Sequence, residues 1–492
     1  MTLTRRVALN TIVQIGGKII TVLLSLVLVV FLTRYLGVFG YGQYTAIFSY
    51  LGFFGVFVDF GLYTIAVREM SGRPEETKKI AGNLLGIRIV MAAFIFTIAA
   101  ILTPFLPYDP IIKTGMLIGV FSIAFIILTQ ASFSVFQTNL RMDFAVVAEV
   151  LGRIGVLLLT LFFISKGYGL YFIVLAYVLG NLIMFLISFL LVQRFVKFFP
   201  LFEFKEWNHL IKESLPLGIT AILGMLHFKI DTILLSILPL QGNLSNIHEV
   251  GIYGASYKIL EILLSLPVIF VGSLFPILSS QWYADKAKAK EVFQKGFDML
   301  LVISLPMVSL LILLSPIIIN IIGGKEFAAS AIPLKILSFA VGFTFMSSIF
   351  SSIIVVARKQ KLLIIMTSIA LAINVIFNLI FIPRYSYIGA AAVTVLSEFS
   401  VLLILFFLTA KFLKVIPRFL NLFKILLATM VTTATTYFLI NKVFIFNYEA
   451  SLLNKLFVFS VIGSSAMVVY LILLGVVGVL NKDLIEQLIK RN

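Results

Sequence analysis

Cysteine is absent from all 492 residues. Disulfides, thiolate metal sites and cysteine nucleophiles are therefore excluded. Charge is scarce as well. Asp, Glu, Lys and Arg make up 12% of the chain, against about 25% in ordinary soluble domains. A water-solvated fold of this size needs far more polar surface, so lipid must be the main solvent. Histidine occurs three times, at His209, His227 and His248, with no HExxH spacing or comparable metal pattern. No phosphate-cradling glycine loop is present: IIGGKEF at 321–327 lacks both the first glycine and the closing Ser/Thr of that motif. Neither an ATPase motor nor a cofactor is called for. Acidic residues number 21 against 38 basic ones, a net charge of +17. The aromatics lie in apolar runs and not between the basic residues, which argues against nucleic-acid binding. Loop charge retained on one side of a membrane accounts for the excess.

What is present is hydrophobic length. The chain is 61% apolar, with a mean hydropathy of +1.13. Crossing a bilayer as a helix takes roughly 20 mostly apolar residues. Fourteen such runs occur, at 11–33, 43–66, 84–105, 114–138, 145–165, 169–193, 214–238, 251–278, 297–322, 331–357, 362–382, 387–410, 420–441 and 456–480. The first is too long for a cleavable signal, and no small-residue cleavage site follows it. With Arg5 and Arg6 inside and the sides alternating, inside segments hold 25 basic residues, outside loops seven and spans six. That bias predicts both termini in the cytoplasm of a multi-pass protein of the cell membrane. The longest inside loop, FVKFFPLFEFKEWNHLIKES, reads as an interfacial amphipathic helix. No loop is long enough for a catalytic domain.

The chain also repeats itself weakly. Tyr41-Gly42 in GYGQYTAIFSY resembles Tyr253-Gly254 in VGIYGASYKIL. Arg141 and Lys166 bracket one span and Lys359 and Arg384 another, both pairs 25 residues apart, and each span is followed by a Tyr/Gly-rich stretch, KGYGLY or RYSYIGAA. Transporters built from such repeats hold substrate near the midplane, where the repeats meet.

Three stretches carry a family resemblance: FLTRYLGVFGYGQYTAIFSYLGFFGVFVDFGLYTIAVREMS (31–71), EVGIYGASYKILEILLSLPVIFVGSLFPILS (249–279) and FIPRYSYIGAAAVTVLSEFSVLL (381–403). Over at least residues 5–410 the chain is similar to the polysaccharide transporters. These are the O-antigen flippase-like members of the multidrug/oligosaccharidyl-lipid/polysaccharide exporter superfamily. The resemblance implies an all-α polytopic protein of about fourteen transmembrane helices. Two six-helix lobes, 1–194 and 214–410, would surround a central cavity. A cytoplasmic interfacial linker at 195–213 would join them, and an extra helix pair with a cytoplasmic tail would follow at 411–492. It implies translocation of a lipid-linked oligosaccharide, often on a polyprenyl diphosphate, by alternating access. Implied partners are that substrate, membrane lipid, and glycosyltransferases or a polymerase of the same pathway.

An ionisable group at mid-bilayer costs roughly 2.5–3.5 kcal/mol on insertion scales and normally faces protein or water. Glu149 and Arg153 are four apart and Lys258 and Glu261 three apart, so each couple is placed to pair along its helix. Arg88 and Lys335 lie near enough to span ends to snorkel. In LGMLHFKIDTILL (223–235), Lys229 and Asp231 are two apart and point about 200° from each other on a helix, so they do not satisfy one another. His227 shares a face with Asp231. The candidate substrate-binding residues are Lys18, Arg88, Arg153, Lys229 and Lys258, offering cations to a diphosphate. Asp59, Asp231, Glu261 and Glu398 are candidates for ion coupling or structural pairing. Pro216, Pro267, Pro276, Pro306 and Pro316 are candidate bends.

Rival readings are a drug extruder of the same superfamily, which should carry an acidic cavity, and a non-transporting component of a sugar-assembly complex. A membrane glycosyltransferase or polymerase would need acidic catalytic residues on a sizeable outer loop. The outer loops here are short, and their carboxylates are limited to Asp109, Glu249, Glu326 and Glu449.

Overall fold

The computed structural model describes residues 3–241, 245–443 and 446–479. Side chains of 3–9, 56–59, 216 and 220 are outside that description. Every described element is helical. The α-helices are α1 (Leu3–Asp59), α2 (Leu62–Gly72), α3 (Thr77–Leu102), α4 (Pro110–Thr138), α5 (Met142–Ser165), α6 (Leu170–Val192), α7 (Phe204–Ile237) and α8 (Asn246–Leu263). There follow α9 (Ser265–Ala284), α10 (Lys286–Gly323), α11 (Ala331–Val356), α12 (Lys361–Leu408), α13 (Leu422–Phe438) and α14 (Leu452–Val476). This is the outcome lipid dictates, since a helix satisfies its own backbone where no water can.

Among the described residues twelve helical stretches are long and apolar enough to cross a membrane. They contain the fourteen runs read from sequence, because two pairs of runs share a helix. At 57 residues, α1 would be about 85 Å long if straight, far more than a bilayer core. It breaks at Gly37, with φ 63° and ψ −177°, a conformation open to glycine. The 48-residue α12 breaks at Ser386, with φ 51° and ψ −133°, three residues after Pro383. Both breaks follow an Arg-Tyr dipeptide, Arg34-Tyr35 and Arg384-Tyr385.

The chain divides into two compact units: 1–239 with 243–251, and 240–242 with 252–492. By contact, α7 therefore belongs to the first unit, whereas the family resemblance implies a second lobe that starts at 214.

In unit 1, α1 packs on α4, α5 and α7, and α5 on α6. Small residues set these approaches. A Cβ on Gly115 would lie 2.4 Å from Ile47 Cδ1, and one on Gly180 3.0 Å from the Gly152 carbonyl oxygen. Close backbone approach of this kind is how helices associate where lipid removes the hydrophobic drive. In unit 2, α10 packs against α9, α11 and α13. Leu314, Ile317, Ile321, Phe446 and Ile462 form an apolar cluster that ties α14 to α10.

The stretch read as an interfacial helix is built differently. Residues 196–203 have no helix and, from Phe199 on, lie against α3, and the helix that starts at Phe204 continues unbroken through α7. The Leu201 amide donates to the Gly82 carbonyl at 2.9 Å. Buried Asn83 Oδ1 accepts from the Glu203 amide at 2.9 Å and from Trp207 Nε1 at 3.1 Å. Pairing with α3 satisfies this backbone, so it has no need of a helix of its own.

Candidate functional site

The charged residues within spans sort by their surroundings. In unit 1, Arg88 on α3 is fully buried, and its guanidinium donates to Gln130 Oε1 on α4 at 3.1 Å. It does not snorkel. The arginine is a polar cross-link between two helices, and burial at that depth demands such partners.

Arg153 on α5 is half-buried. The expected pairing with Glu149 is not formed: among the described residues no carboxylate lies within 4 Å of Arg153. Across unit 1 two tyrosines of the apolar runs meet, Tyr44 of α1 and Tyr177 of α6. Their hydroxyls share a hydrogen bond, and the two rings lie 5.9 Å apart between centroids. Lys18 on α1 is exposed, one residue beyond Gly17, which sits against Val146 of α5.

α7 brings its own group. His227 and Asp231, one turn apart, are both buried, Asp231 to 1% exposure, as their shared face required. Lys229 is half-buried on the opposing side. Its Cε lies 3.6 Å from where a Cβ on Gly52 of α1 would stand, beside Met225 Cε at the same distance. The lysine stem thus runs over a bare patch of α1 backbone. The side chain of Asp59 is outside the described residues.

In unit 2, Lys258 and Glu261 pair at 2.8 Å on α8, as their spacing predicted. Glu398 of α12 is buried and accepts from the Thr344 hydroxyl of α11 at 2.8 Å. One turn before it, Thr394 bonds the Tyr253 hydroxyl of α8 at 3.1 Å. Lys335 is exposed in the second turn of α11, consistent with snorkelling. No cluster of three or more His, Asp or Glu suited to a metal exists among the described residues.

The structure therefore brings Lys18, Arg153 and Lys229 to helices packed on or around α1 in unit 1. It assigns Arg88 to a helix cross-link and Lys258 to an ion pair. Sequence reasoning missed the tyrosines. Tyr44 and Tyr177 lie in apolar runs 133 residues apart, and nothing in their spacing marks them as hydrogen-bond partners.

Comparison with known proteins bears on this arrangement. The family described as "Polysaccharide biosynthesis protein" matches residues 7–282, and the MatE family matches 216–380. An uncharacterised membrane protein of Methanocaldococcus jannaschii is 29% identical over 232 residues, 46% of this chain and 45% of that one. The capsular polysaccharide biosynthesis protein CapF of Staphylococcus aureus is 26% identical over 200 residues, 39% of this chain and 47% of that one. Each match thus spans a little under half of the relative. Among solved structures, the lipid II flippase MurJ in an inward closed conformation superposes with a TM-score of 0.77 at 19% identity, over 95% of this chain and 98% of that one. An inward-facing multidrug resistance MATE family transporter reaches 0.67 at 14% identity, over 81% and 96%. At these identities the likeness is one of fold, and it is the polytopic fold expected from the spans. With more than half of its length matched, the chain belongs to the polysaccharide biosynthesis protein family and is an integral membrane protein of the MurJ/MATE-like fold.

Proposed function

We propose that the protein is a flippase that carries a lipid-linked oligosaccharide, its headgroup borne on a polyprenyl diphosphate, across the cell membrane by alternating access. The observation that carries this reading is the correspondence of 95% of the chain to a lipid II flippase, joined to membership of a polysaccharide family. Lys18, Arg153 and Lys229 are the residues assigned to the anionic headgroup. A diphosphate suits a guanidinium fork and ammonium point charges. Lys258 and Arg88 are supporting members, their charges already engaged by Glu261 and Gln130. Glu398, Asp231 and Asp59 are the groups we assign to ion coupling or pairing, with Glu261 holding Lys258. The sequence carries no motor motif, so an ion gradient or downstream consumption of the cargo must set the direction. The enzymes that build and polymerise the oligosaccharide are the partners expected, and the basic-residue bias places both termini in the cytoplasm. The protein acts as a transporter and not as an enzyme in this reading.

The MatE match over 216–380 and the MATE neighbours favour one other reading, extrusion of small molecules. Proteoliposomes separate the two. A fluorescent polyprenyl-diphosphate oligosaccharide is loaded in one leaflet and its arrival in the other followed. Wild type is expected to equilibrate it, and Arg153→Gln or Lys229→Ala to slow it at least tenfold with folding intact. Wild type that moves an organic cation under a proton or sodium gradient, and leaves the lipid in place, overturns the flippase reading.

A further inference from the structure

One end of unit 2 gathers cations over aromatic rings, away from every residue assigned to transport. The Arg358 guanidinium lies 5.8 Å from the centroid of Tyr283, whose hydroxyl donates to the Val356 carbonyl at 3.1 Å. Lys359 Nζ lies 5.2 Å from the centroid of Phe412 and 3.5 Å from the Phe412 carbonyl oxygen. Lys411 Nζ approaches the same ring at 5.6 Å. The end of α9, the α11–α12 turn and the end of α12 are thereby joined into one ridge, and all three cationic side chains are exposed.

The carboxylates nearby in the chain are occupied elsewhere. Asp285 caps α10 through the Ala287 and Lys288 amides. Glu291 pairs with Lys295 at 2.9 Å. Asp298 takes the amides of Gln294 and Asn421. Among the described residues no carboxylate lies within 4 Å of Arg358, Lys359 or Lys411. Arg358 also holds a left-handed backbone, φ 56°, at a helix end where glycine is the default. A bulky residue kept there at a cost of order 1 kcal/mol points to a use for its side chain.

We propose that this ridge binds the headgroup of an anionic phospholipid. The phosphodiester takes the Arg358 fork and the two ammonium groups, and aromatic rings are the side chains favoured at headgroup level. The apolar neighbours decide for a lipid over a free anion. Directly after the ridge, Ile416, Phe419, Leu420 and Phe423 are 52–81% exposed, held against α10 by the bonds between Gln294 and the Arg418 backbone. That surface is suited to acyl chains, which inorganic phosphate and acidic peptides do not have. The proposal is independent of what the protein carries.

Native mass spectrometry of the full-length protein in detergent, titrated with phosphatidylglycerol or phosphatidylcholine, tests it. Wild type is expected to retain phosphatidylglycerol preferentially. R358Q/K359Q/K411Q should lose that retention at least tenfold with phosphatidylcholine unchanged, and K359R/K411R should keep it. Should the triple variant fail to fold, K411Q alone should reduce retention measurably. Equal retention by wild type and the variants overturns the proposal. So does displacement of the lipid by millimolar inorganic phosphate, which would make the ridge a general anion site, or by a short polyglutamate peptide, which would make it a protein-docking surface.

Discussion

Two turns in this molecule share a backbone and differ in how their charge is held. In unit 1 the α4–α5 turn places Leu140 at φ 53°, with the Leu140 amide on the Gln137 carbonyl and the Arg141 amide on that of Phe136. In unit 2 the α11–α12 turn places Arg358 at φ 56°, with its amide on Val355 and the Lys359 amide on Ile354. Each is the paired closure that ends a helix with one left-handed residue. Arg141 and Lys359 occupy equivalent positions, and each opens a bracket of 25 residues that closes at Lys166 or Arg384. Yet Arg141 is paired to Asp143 at 3.0 Å and stacked 4.2 Å from the Phe144 centroid, while the Lys359 ammonium meets the Phe412 ring and carbonyl and, among the described residues, no carboxylate. The difference extends to the surroundings. From Arg68 to Glu213 the same end of unit 1 is bound by ion pairs: Arg68–Glu213 at 2.9 Å, Arg73–Glu69 at 2.8 Å and Lys79–Glu203 at 2.8 Å. The two turns thus share a backbone form while their charge is held in two ways. At one turn the cation is paired within the protein, and at the other no carboxylate lies within 4 Å among the described residues.

The most severe way to break the closed end is through its backbone. A Cβ on Gly86 would lie 2.0 Å from the Leu201 carbonyl oxygen, and neither backbone can yield without losing the Asn83 bonds to Glu203 and Trp207. Gly86→Ala is expected to destabilise by about 3 kcal/mol, read as a lowered melting temperature in detergent. Gly272→Ala in α9, where a Cβ meets nothing within 4 Å, should be neutral or slightly stabilising, since alanine is the better helix former. Equal effects at the two glycines would show that the strap on α3 does not hold unit 1.

A milder break concerns Glu69, which accepts from Arg68 and Arg73 and lies 3.5 Å from His209. The Arg68 guanidinium, with Arg73 and His209 after it and burial opposing, holds its carboxyl down at about 2, against 4.5 for the ordinary group. A depressed carboxyl stabilises fully above 4.5 and loses that contribution as pH falls towards 2. The unit 1 network should therefore survive mild acid and weaken below about pH 4.5. Glu69→Gln should cost about 1–2 kcal/mol at pH 7 and flatten the acid limb of stability against pH. An unchanged acid limb in the variant would refute the role given to Glu69.

These contrasts mark what sequence could and could not disclose. Helix number was readable because lipid forces unbroken apolar runs, and the shared helices α1 and α12 still show their breaks as Arg-Tyr followed by a conformationally special residue. The Lys258–Glu261 pair was readable because its partner lies one turn away. Arg88 was misjudged because its partner, Gln130, is 42 residues distant and uncharged. Arg153 was expected to pair with Glu149 because four-residue spacing permits it, but spacing does not oblige a half-buried side chain to turn that way. The strap at 196–203 reads as part of an amphipathic helix because the charges of Lys205, Glu206 and Lys212 follow its apolar residues, and the pairing of Leu201 with Gly82 on α3 is not visible in the sequence.

The smallest expected effect is also the one that separates stability from use. At matched left-handed positions, Leu140→Gly and Arg358→Gly both relieve backbone strain. Leu140 is half-buried and its carbonyl accepts from Asn10, so the lost apolar contact should offset the relief. Arg358 is exposed, and its ring contact at 5.8 Å is weak, so Arg358→Gly should raise stability by about 0.5–1 kcal/mol. The same change removes the guanidinium from the ridge, so phosphatidylglycerol retention should fall while the melting temperature rises. A variant more stable and yet poorer in lipid would show that the arginine is kept for what it binds. A variant less stable with lipid retained would mean that Arg358 serves the turn itself, and the two turns would then differ in charge without differing in purpose.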